Sequence, residues 1–273
     1  MRVNTEKQLE LIKEYGYELD FSATFNQAFE NYKKIALLVG AIILVLVAFF
    51  TIIIGGIAGV FIGIGSYTEF LTGINPANPS TSLILISYFS SVVGAAIIAP
   101  LTAGILKIIH SAEINNEFSF STAFDYFKSN YFKEIFIAVF LVNAIGGAVS
   151  TLLNIIKSSY ETGFYEIILT IAAALVSILV SLFSILTIPS IIFGDLKAVP
   201  AIKCSILIIS KNWFLIIVLL IVGIIFAMIG FFGFCIGIFF TIPFYYSLQY
   251  IIYKTALPIE EKNEIDEIGN SEY

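Results

Sequence analysis

Long apolar runs separated by short charged segments fill the chain from Ile35 to Tyr253, and within each run apolar and polar positions do not alternate. Charge-free stretches cover residues 35–68, 71–106, 135–156, 167–194 and 212–253. A bilayer's hydrocarbon core of about 30 Å takes about 20 helical residues per crossing, so these stretches hold six crossings. The last must hold two, divided at the turn-like Gly230-Phe-Phe-Gly233-Phe-Cys-Ile-Gly237. Spans are expected at 35–54, 83–105, 135–156, 167–193, 213–229 and 236–253. Strands of a membrane barrel would alternate in polarity over about 10 residues, which these runs do not do. An α-helical membrane protein is the consequence.

The polar edges of the runs repeat. Asn31-Tyr32, Asn130-Tyr131 and Asn212-Trp213 each open an odd-numbered span. Upstream, Phe21, Phe25, Ala28 and Tyr32 align with Phe120, Phe124, Phe127 and Tyr131, and with Ile202, Ile206, Ile209 and Trp213. The i, i+4, i+7, i+11 spacing lines one face of a helix, and charged or polar residues such as Glu30, Lys33, Asp125, Lys128, Lys203 and Lys211 fill the other. This predicts an amphipathic helix at the membrane boundary before each odd span. Every even span carries a proline: Pro100, Pro189 and Pro243, the last two in a shared Thr-Ile-Pro. Each proline removes a backbone hydrogen bond, so a kink is expected in each even span, serving either to open a cavity or to improve packing.

The fold expected is therefore an all-α polytopic membrane protein with six transmembrane helices as three repeated hairpins, each preceded by an interfacial amphipathic helix. Residues 1–20 form an N-terminal segment and 21–254 the membrane domain, with units at about 21–109, 118–195 and 198–254. Residues 255–273 form an acidic tail. In the N-terminal segment Thr5 and Gln8 resemble a capping box, Leu9, Ile12 and Tyr15 form a modest apolar face, and Gly16 is a stop signal.

Composition fits this picture: of 273 residues 59% are hydrophobic and only 12% charged, against about 25% charged in soluble proteins. Basic residues fix the orientation, because lysines and arginines near span ends stay on the cytoplasmic side. Lys33 and Lys34, Lys107, Lys128 and Lys133, Lys197, Lys203 and Lys211, and Lys254 all fall on one side of a six-span arrangement. Lys157 alone falls on the other. Both termini are thus expected in the cytoplasm, with the protein multi-pass in the inner membrane. The net charge of −6 resides mainly in the terminal segments. No cleavable leader is expected, since the first 34 residues lack an apolar core segment. Cys204 and Cys235 are expected on opposite sides of the membrane, as unpaired thiols.

Candidate chemistry is sparse. No ionisable residue lies in the central part of any expected span, where such groups are costly and generally functional. Ser90, Ser91, Asn143, Ser150, Thr151, Ser177, Ser181 and Ser184 are the polar residues there. Asn143 suits either an interhelical hydrogen bond or the border of a cavity. His110 is the single histidine, which excludes a His-rich metal site; with Glu113 and Glu117 it forms at most a site at the cytoplasmic face. Gly55, Gly59 and Gly63 make a GxxxGxxxG series suited to close helix approach, within the chain or between copies. No cofactor, metal or nucleic-acid site is expected.

The Asn-aromatic openings, Lys211-Asn-Trp-Phe214, the glycine-rich hairpin and Thr241-Ile-Pro-Phe-Tyr245 before Tyr250 resemble uncharacterised bacterial six-span membrane proteins. They are also similar to the membrane domain attached to some glycerophosphodiester phosphodiesterases, across about residues 21–254. No soluble catalytic domain is expected in this chain, so the resemblance implies a membrane fold and phosphodiesterase activity is not carried across. The reading favoured is a non-catalytic integral membrane protein that organises membrane lipid or a membrane protein partner, or forms a homo-oligomer. The alternative is a transporter or flippase for a lipidic or weakly polar substrate, with Pro100, Pro189, Pro243 and Asn143 bordering a cavity. A third class is a membrane enzyme acting around His110.

Overall fold

The computed structural model describes residues 2–62, 81–157, 163–232 and 236–259, and every regular element among them is helical. In chain order these are α1 (Arg2–Tyr15), α2 (Phe21–Ile62), α3 (Thr81–Glu113), a 3-10 segment (Phe120–Phe127), α4 (Phe132–Lys157), α5 (Phe164–Ser184), α6 (Thr187–Ile192), α7 (Ala198–Lys211), α8 (Trp213–Ile229), a 3-10 turn (Gly230–Phe232) and α9 (Gly237–Ala256). Among the described residues five stretches are long and apolar enough to cross a membrane: Phe21–Ile53, Ile84–Glu113, Phe132–Lys157, Phe164–Ile192 and Trp213–Phe232. Only 11% of the most apolar part of α4, and 11% of that of the α5–α6 stretch, is buried within the protein. Leu37, Ile52, Phe164 and Ile178 are all more than half exposed. Soluble monomers rarely leave contiguous apolar surface beyond a few hundred Å² facing water. The chain is a multi-pass helical membrane protein.

The sixth expected span, α9, is less apolar than the other five. Thr241, Tyr245, Tyr246, Ser247, Gln249, Tyr250 and Tyr253 lower its hydropathy, yet ten of its 20 residues are buried. It lies at the centre of the bundle, against α2 along its length, α8 on a second side, and α3 and α6 beyond. A helix wrapped in protein needs partners more than it needs apolarity. Phe244 meets the ring of Phe226 from α8 at 4.6 Å and that of Phe25 from α2 at 5.4 Å, and Tyr32 joins Phe226 at 5.2 Å. A Cβ on Gly40 would come within 3.0 Å of the Phe240 backbone, so glycine permits α2 and α9 to touch there.

Hairpin pairing holds for α4 with α5 and for α8 with α9, but not for the first unit. The helix α2 packs mainly on α9 and α3 mainly on α4. Eighteen residues, 63–80, separate those two helices along the chain, and only short connections oblige neighbours to pack together. The expected boundary helices also diverge. In the first unit Phe21–Tyr32 is continuous with the span inside α2, in the second it is a 3-10 segment, and only in the third is it a separate α-helix, α7. The buried stripe of α2 is Ala28, Asn31, Ile35, Val39 and Ile42, and that of α7 includes Ala201, Cys204, Ser205 and Ile208. Of the aligned stripes Ala28 and Ile209 are buried, while Phe21, Phe120, Ile206 and Trp213 stay exposed. The 3-10 segment approaches α3 closely: a Cβ on Gly104 of α3 would run into the backbone of Ala123.

Side-chain contacts gather the lysine-bearing segments at one end. Lys34 donates to the Ala112 carbonyl at 3.0 Å, where Asn115 ends α3 with φ +56°. Lys254 pairs with Glu113 at 2.9 Å, and Lys107 with Asp125 at 2.7 Å. Lys211 donates to Lys13 O at 2.7 Å, and Glu134 accepts the Ala198 N–H at 2.9 Å, supplying an anion at the N-terminus of α7. Lys157, at the far end of α4, pairs with Glu166 at 3.4 Å. Helix α1 begins at Arg2, upstream of the expected cap at Thr5, and Gly16 with φ +74° ends it as anticipated. Ile12 is buried, whereas Tyr15 is 82% exposed and takes no part in the apolar face.

Candidate functional site: an intramembrane polar pocket

Proline dictates the local structure of the site. Pro189 has no N–H to give the carbonyl four residues earlier, that of Ile185. The helix breaks there, between Ser184 and Thr187. Three groups freed by the break find partners on other helices. The Leu186 N–H donates to Ser205 Oγ of α7 at 3.0 Å, and the Ser205 hydroxyl donates to Phe183 O at 2.7 Å. Gln249 of α9 donates its Nε2 to Ile185 O. Interrupted helices survive at membrane depth only when neighbours satisfy the freed backbone in this way. In contrast, α3 and α9 continue as helix through Pro100 and Pro243, so only the second unit shows an interruption at its proline.

Beside the break lies a pocket of ≈ 240 Å³ between five helices. Thr102 of α3 and Val139, Val142 and Asn143 of α4 form one side. Ser181, Ser184, Ile185, Thr187 and Ile188 from α5 and α6 form another, and Tyr245, Tyr246 and Gln249 of α9 close it. Thr102, Asn143 and Tyr245 each sit eleven residues from the lysine-bearing end of their helix. That is about 16 Å of helical rise from those helix ends. No carboxylate, ammonium, guanidinium or imidazole lines the pocket.

Its hydrogen-bonding groups are unevenly committed. Asn143 donates Nδ2 to Val139 O at 2.8 Å within its own helix, rather than across to another helix as one expectation had it. Only the amide nitrogen can face a carbonyl, so Oδ1 is the atom left over. Ser184 is turned onto Ser181 O at 3.3 Å. Thr187 is 2% exposed, and its Oγ1 has no partner. Its usual helical acceptor would be Phe183 O, four residues back, which already receives Ser205. Thr241, in the matching Thr-Ile-Pro of α9, instead donates to Ala227 O of α8 at 2.8 Å. Identical tripeptides thus differ in one respect: one hydroxyl is spent and the other is free.

The sequence-derived candidates fall around this site unequally. Asn143 lines it; Pro189 creates its wall; Pro100 and Pro243 precede Thr102 and Tyr245 on two other walls without lining it themselves. The Asn-aromatic pairs occupy unlike places. Asn31 is buried with Nδ2 unpartnered, Asn130 is exposed, and Asn212 donates to Tyr17 O at 2.8 Å. Tyr32 belongs to the aromatic seam, Tyr131 lies 6.0 Å from Tyr126, and Trp213 is exposed beside Phe214. Thr187, Ser205 and Gln249 escaped the sequence reading, although the Thr-Ile-Pro motif pointed to the first.

A second polar cluster stands at the lysine-bearing end. His110 Nδ1 lies 2.8 Å from Tyr250 Oη, which donates to Glu113 Oε2 at 2.6 Å, and Lys254 completes the chain. The Phe193 ring packs on both His110 and Tyr250. The arrangement joins α3 and α9; Glu117 is exposed outside it. Nearby, Cys204 is buried and Ser190 Oγ lies 3.2 Å from its Sγ. Cys235 and Gly63 lie outside the described residues, while Gly55 and Gly59 fall within α2. No protein-family model matches the chain, and neither a curated protein nor a solved structure matches it significantly.

Proposed function

We propose that this chain is a non-catalytic integral membrane protein of six spans, α9 being the central one, that organises lipid by holding part of a lipid molecule in the pocket beside Pro189. The observation that carries this reading is a pocket between the apolar helices lined by hydroxyl, amide and apolar groups and by no charge. Its mouth suits lipid access, because Ser181 is exposed on the same stretch of α5 as Ile178 and Leu179, which are 61% and 51% exposed. Lysine-bearing connections lie on the cytoplasmic side in this reading, as the retention of basic residues requires. His110 belongs to the tie between α3 and α9 and is assigned no reaction.

The test is purification of the full chain in native nanodiscs followed by mass spectrometry of retained lipid. Enrichment of a lipid over the surrounding membrane, reduced by Asn143→Leu or by filling the pocket with Ser181→Phe, is expected. A lipid composition identical to the bulk membrane in every variant would sink the reading. A second reading, movement of lipid between leaflets, is favoured by the helix break at Pro189, since a broken helix is a natural hinge. Proteoliposomes with one labelled leaflet distinguish it: scrambling by the wild-type chain, lost in Pro189→Ala, supports transport over static binding.

A further inference from the structure

The free hydroxyl of Thr187 narrows the ligand further, and this step rests on the lipid-holding reading above. An unpartnered hydroxyl nine-tenths buried is costly, so its persistence at the pocket wall calls for an outside acceptor. Opposite it in kind is Asn143 Oδ1, an acceptor left over once Nδ2 is bound to Val139 O. The pocket lining therefore offers neutral groups alone: the Thr187 hydroxyl and Asn143 Oδ1, with the hydroxyls of Ser181 and Tyr245 beside them. An anionic phosphate or a cationic amine placed there would lose its hydration with no opposite charge to replace it.

We infer that the pocket takes the uncharged glycerol–ester region of a diacylglycerol-class lipid: an ester carbonyl accepts from the Thr187 hydroxyl, and the lipid's free hydroxyl donates to Asn143 Oδ1. Size agrees with this. A space of ≈ 240 Å³ houses a glycerol and its ester groups but not two acyl chains. The chains remain in the bilayer, passing out beside Ser181, where Ile178 and Leu179 already face lipid.

The experiment uses the full-length chain in phosphatidylcholine nanodiscs doped with one of two photoactivatable probes sharing a diazirine-bearing acyl chain. One is a diacylglycerol and the other a phosphatidylglycerol. Cross-linked peptides are located by mass spectrometry. Diacylglycerol is expected to label residues 139–143 and 181–188, and excess dioleoylglycerol to compete. Thr187→Val, which keeps the shape and removes the hydroxyl, should cut this labelling about five- to tenfold, and Thr187→Ser should stay within about twofold of wild type. Thr187→Val should also raise the melting temperature of the lipid-stripped protein, because it removes an orphaned polar group. That shift establishes that the variant is folded.

Labelling by diacylglycerol that Thr187→Val leaves unchanged overturns the inference. Equal or stronger labelling of the same peptides by phosphatidylglycerol overturns the neutral-lipid assignment while leaving the lipid-holding reading intact. Absence of pocket labelling by either probe removes both.

Discussion

Gln249 is the residue whose removal tests the break most sharply. Its Nε2 satisfies the Ile185 carbonyl that Pro189 leaves free, and the two residues are 4% and 9% exposed. Gln249→Met keeps the side chain's length and flexibility, so cavity terms are small. What is lost is one hydrogen bond to a buried carbonyl. Orphaning such a group costs about 1–3 kcal/mol in soluble cores. Polar contacts between membrane helices average about 0.6 kcal/mol and reach about 1.7. Because the pocket next to Ile185 lets other groups approach the carbonyl, the expected loss is about 1.5 kcal/mol, at the upper end of the membrane range.

The reasoning makes a stronger demand on a pair of substitutions. Pro189→Ala restores an N–H four residues after Ile185 and supplies the carbonyl from within its own helix. In that background Gln249→Met should cost less than about 0.5 kcal/mol, a coupling of about 1 kcal/mol. Unfolding in mixed micelles with increasing dodecyl sulfate, followed by circular dichroism and by fluorescence of the sole tryptophan, Trp213, measures all four corners of the cycle. Distant sites add to within about 0.3–0.5 kcal/mol. If Gln249→Met costs the same in both backgrounds within that margin, Gln249 does not compensate for Pro189, and the account of the break is wrong.

Three further outcomes follow from other contacts. Tyr250→Phe removes the hydroxyl between His110 and Glu113 and should destabilise by about 1–3 kcal/mol, the range for bonds to charged groups; Lys254→Met, breaking a pair in which Lys254 is 37% exposed, should cost below about 1 kcal/mol in the same unfolding assay. Gly104→Ala forces α3 away from Ala123 and should raise hydrogen exchange across Phe120–Phe127, whereas Gly94→Ala, with nothing within 4 Å, should be neutral or stabilising by up to about 1 kcal/mol. In a chain lacking Cys204 and Cys235, Lys128→Cys and Lys203→Cys should react with a membrane-impermeant maleimide from one side of sealed vesicles and Lys157→Cys from the other. Labelling of Lys128→Cys and Lys203→Cys from opposite sides would refute the topology.

What could be read in advance follows the physics of the solvent. Lipid imposes a length and an apolarity on every helix it touches, and these are local properties of sequence. Hence the expected span at 213–229 coincides with α8, and the expected span at 135–156 differs from α4 by a turn or less. The helix α9 was harder because its surroundings are protein: the residues that lower its apolarity, Gln249 and Tyr250 among them, are explained only by Ile185, His110 and Glu113 on other helices. The three prolines looked alike, but only Pro189 breaks its helix. Ser205 and Gln249, distant in sequence, take up the groups freed by that break, and nothing near Pro189 announces them. Asn143 was visible as an oddity, yet its bond to Val139 rather than to a neighbouring helix depends on which atoms surround it.

The divergence of the repeated Thr-Ile-Pro explains why the pocket sits in the second unit. In the third unit Gly230 and Gly237 meet so closely that a Cβ on either would collide with the other's backbone, bringing α8 onto α9 and placing Ala227 O within reach of Thr241. That contact closes the space beside the tripeptide. In the second unit Gly146 meets Val180 and Ser150 meets Ser177 at 2.9 Å, which holds α4 and α5 together away from the break. Toward Thr187, however, the facing residues of α4 are Val139, Val142 and Asn143, and none of them supplies an acceptor to its hydroxyl. The first unit has Ile98 where the other two have threonine, so no hydroxyl was there to be used. One unit lacks the group, one consumes it in packing, and one leaves it without a partner in the wall of a cavity. A binding role confined to the second unit is what this division of parts supports, and it predicts that Thr241→Val loosens α8 from α9 without altering lipid labelling, the opposite of Thr187→Val.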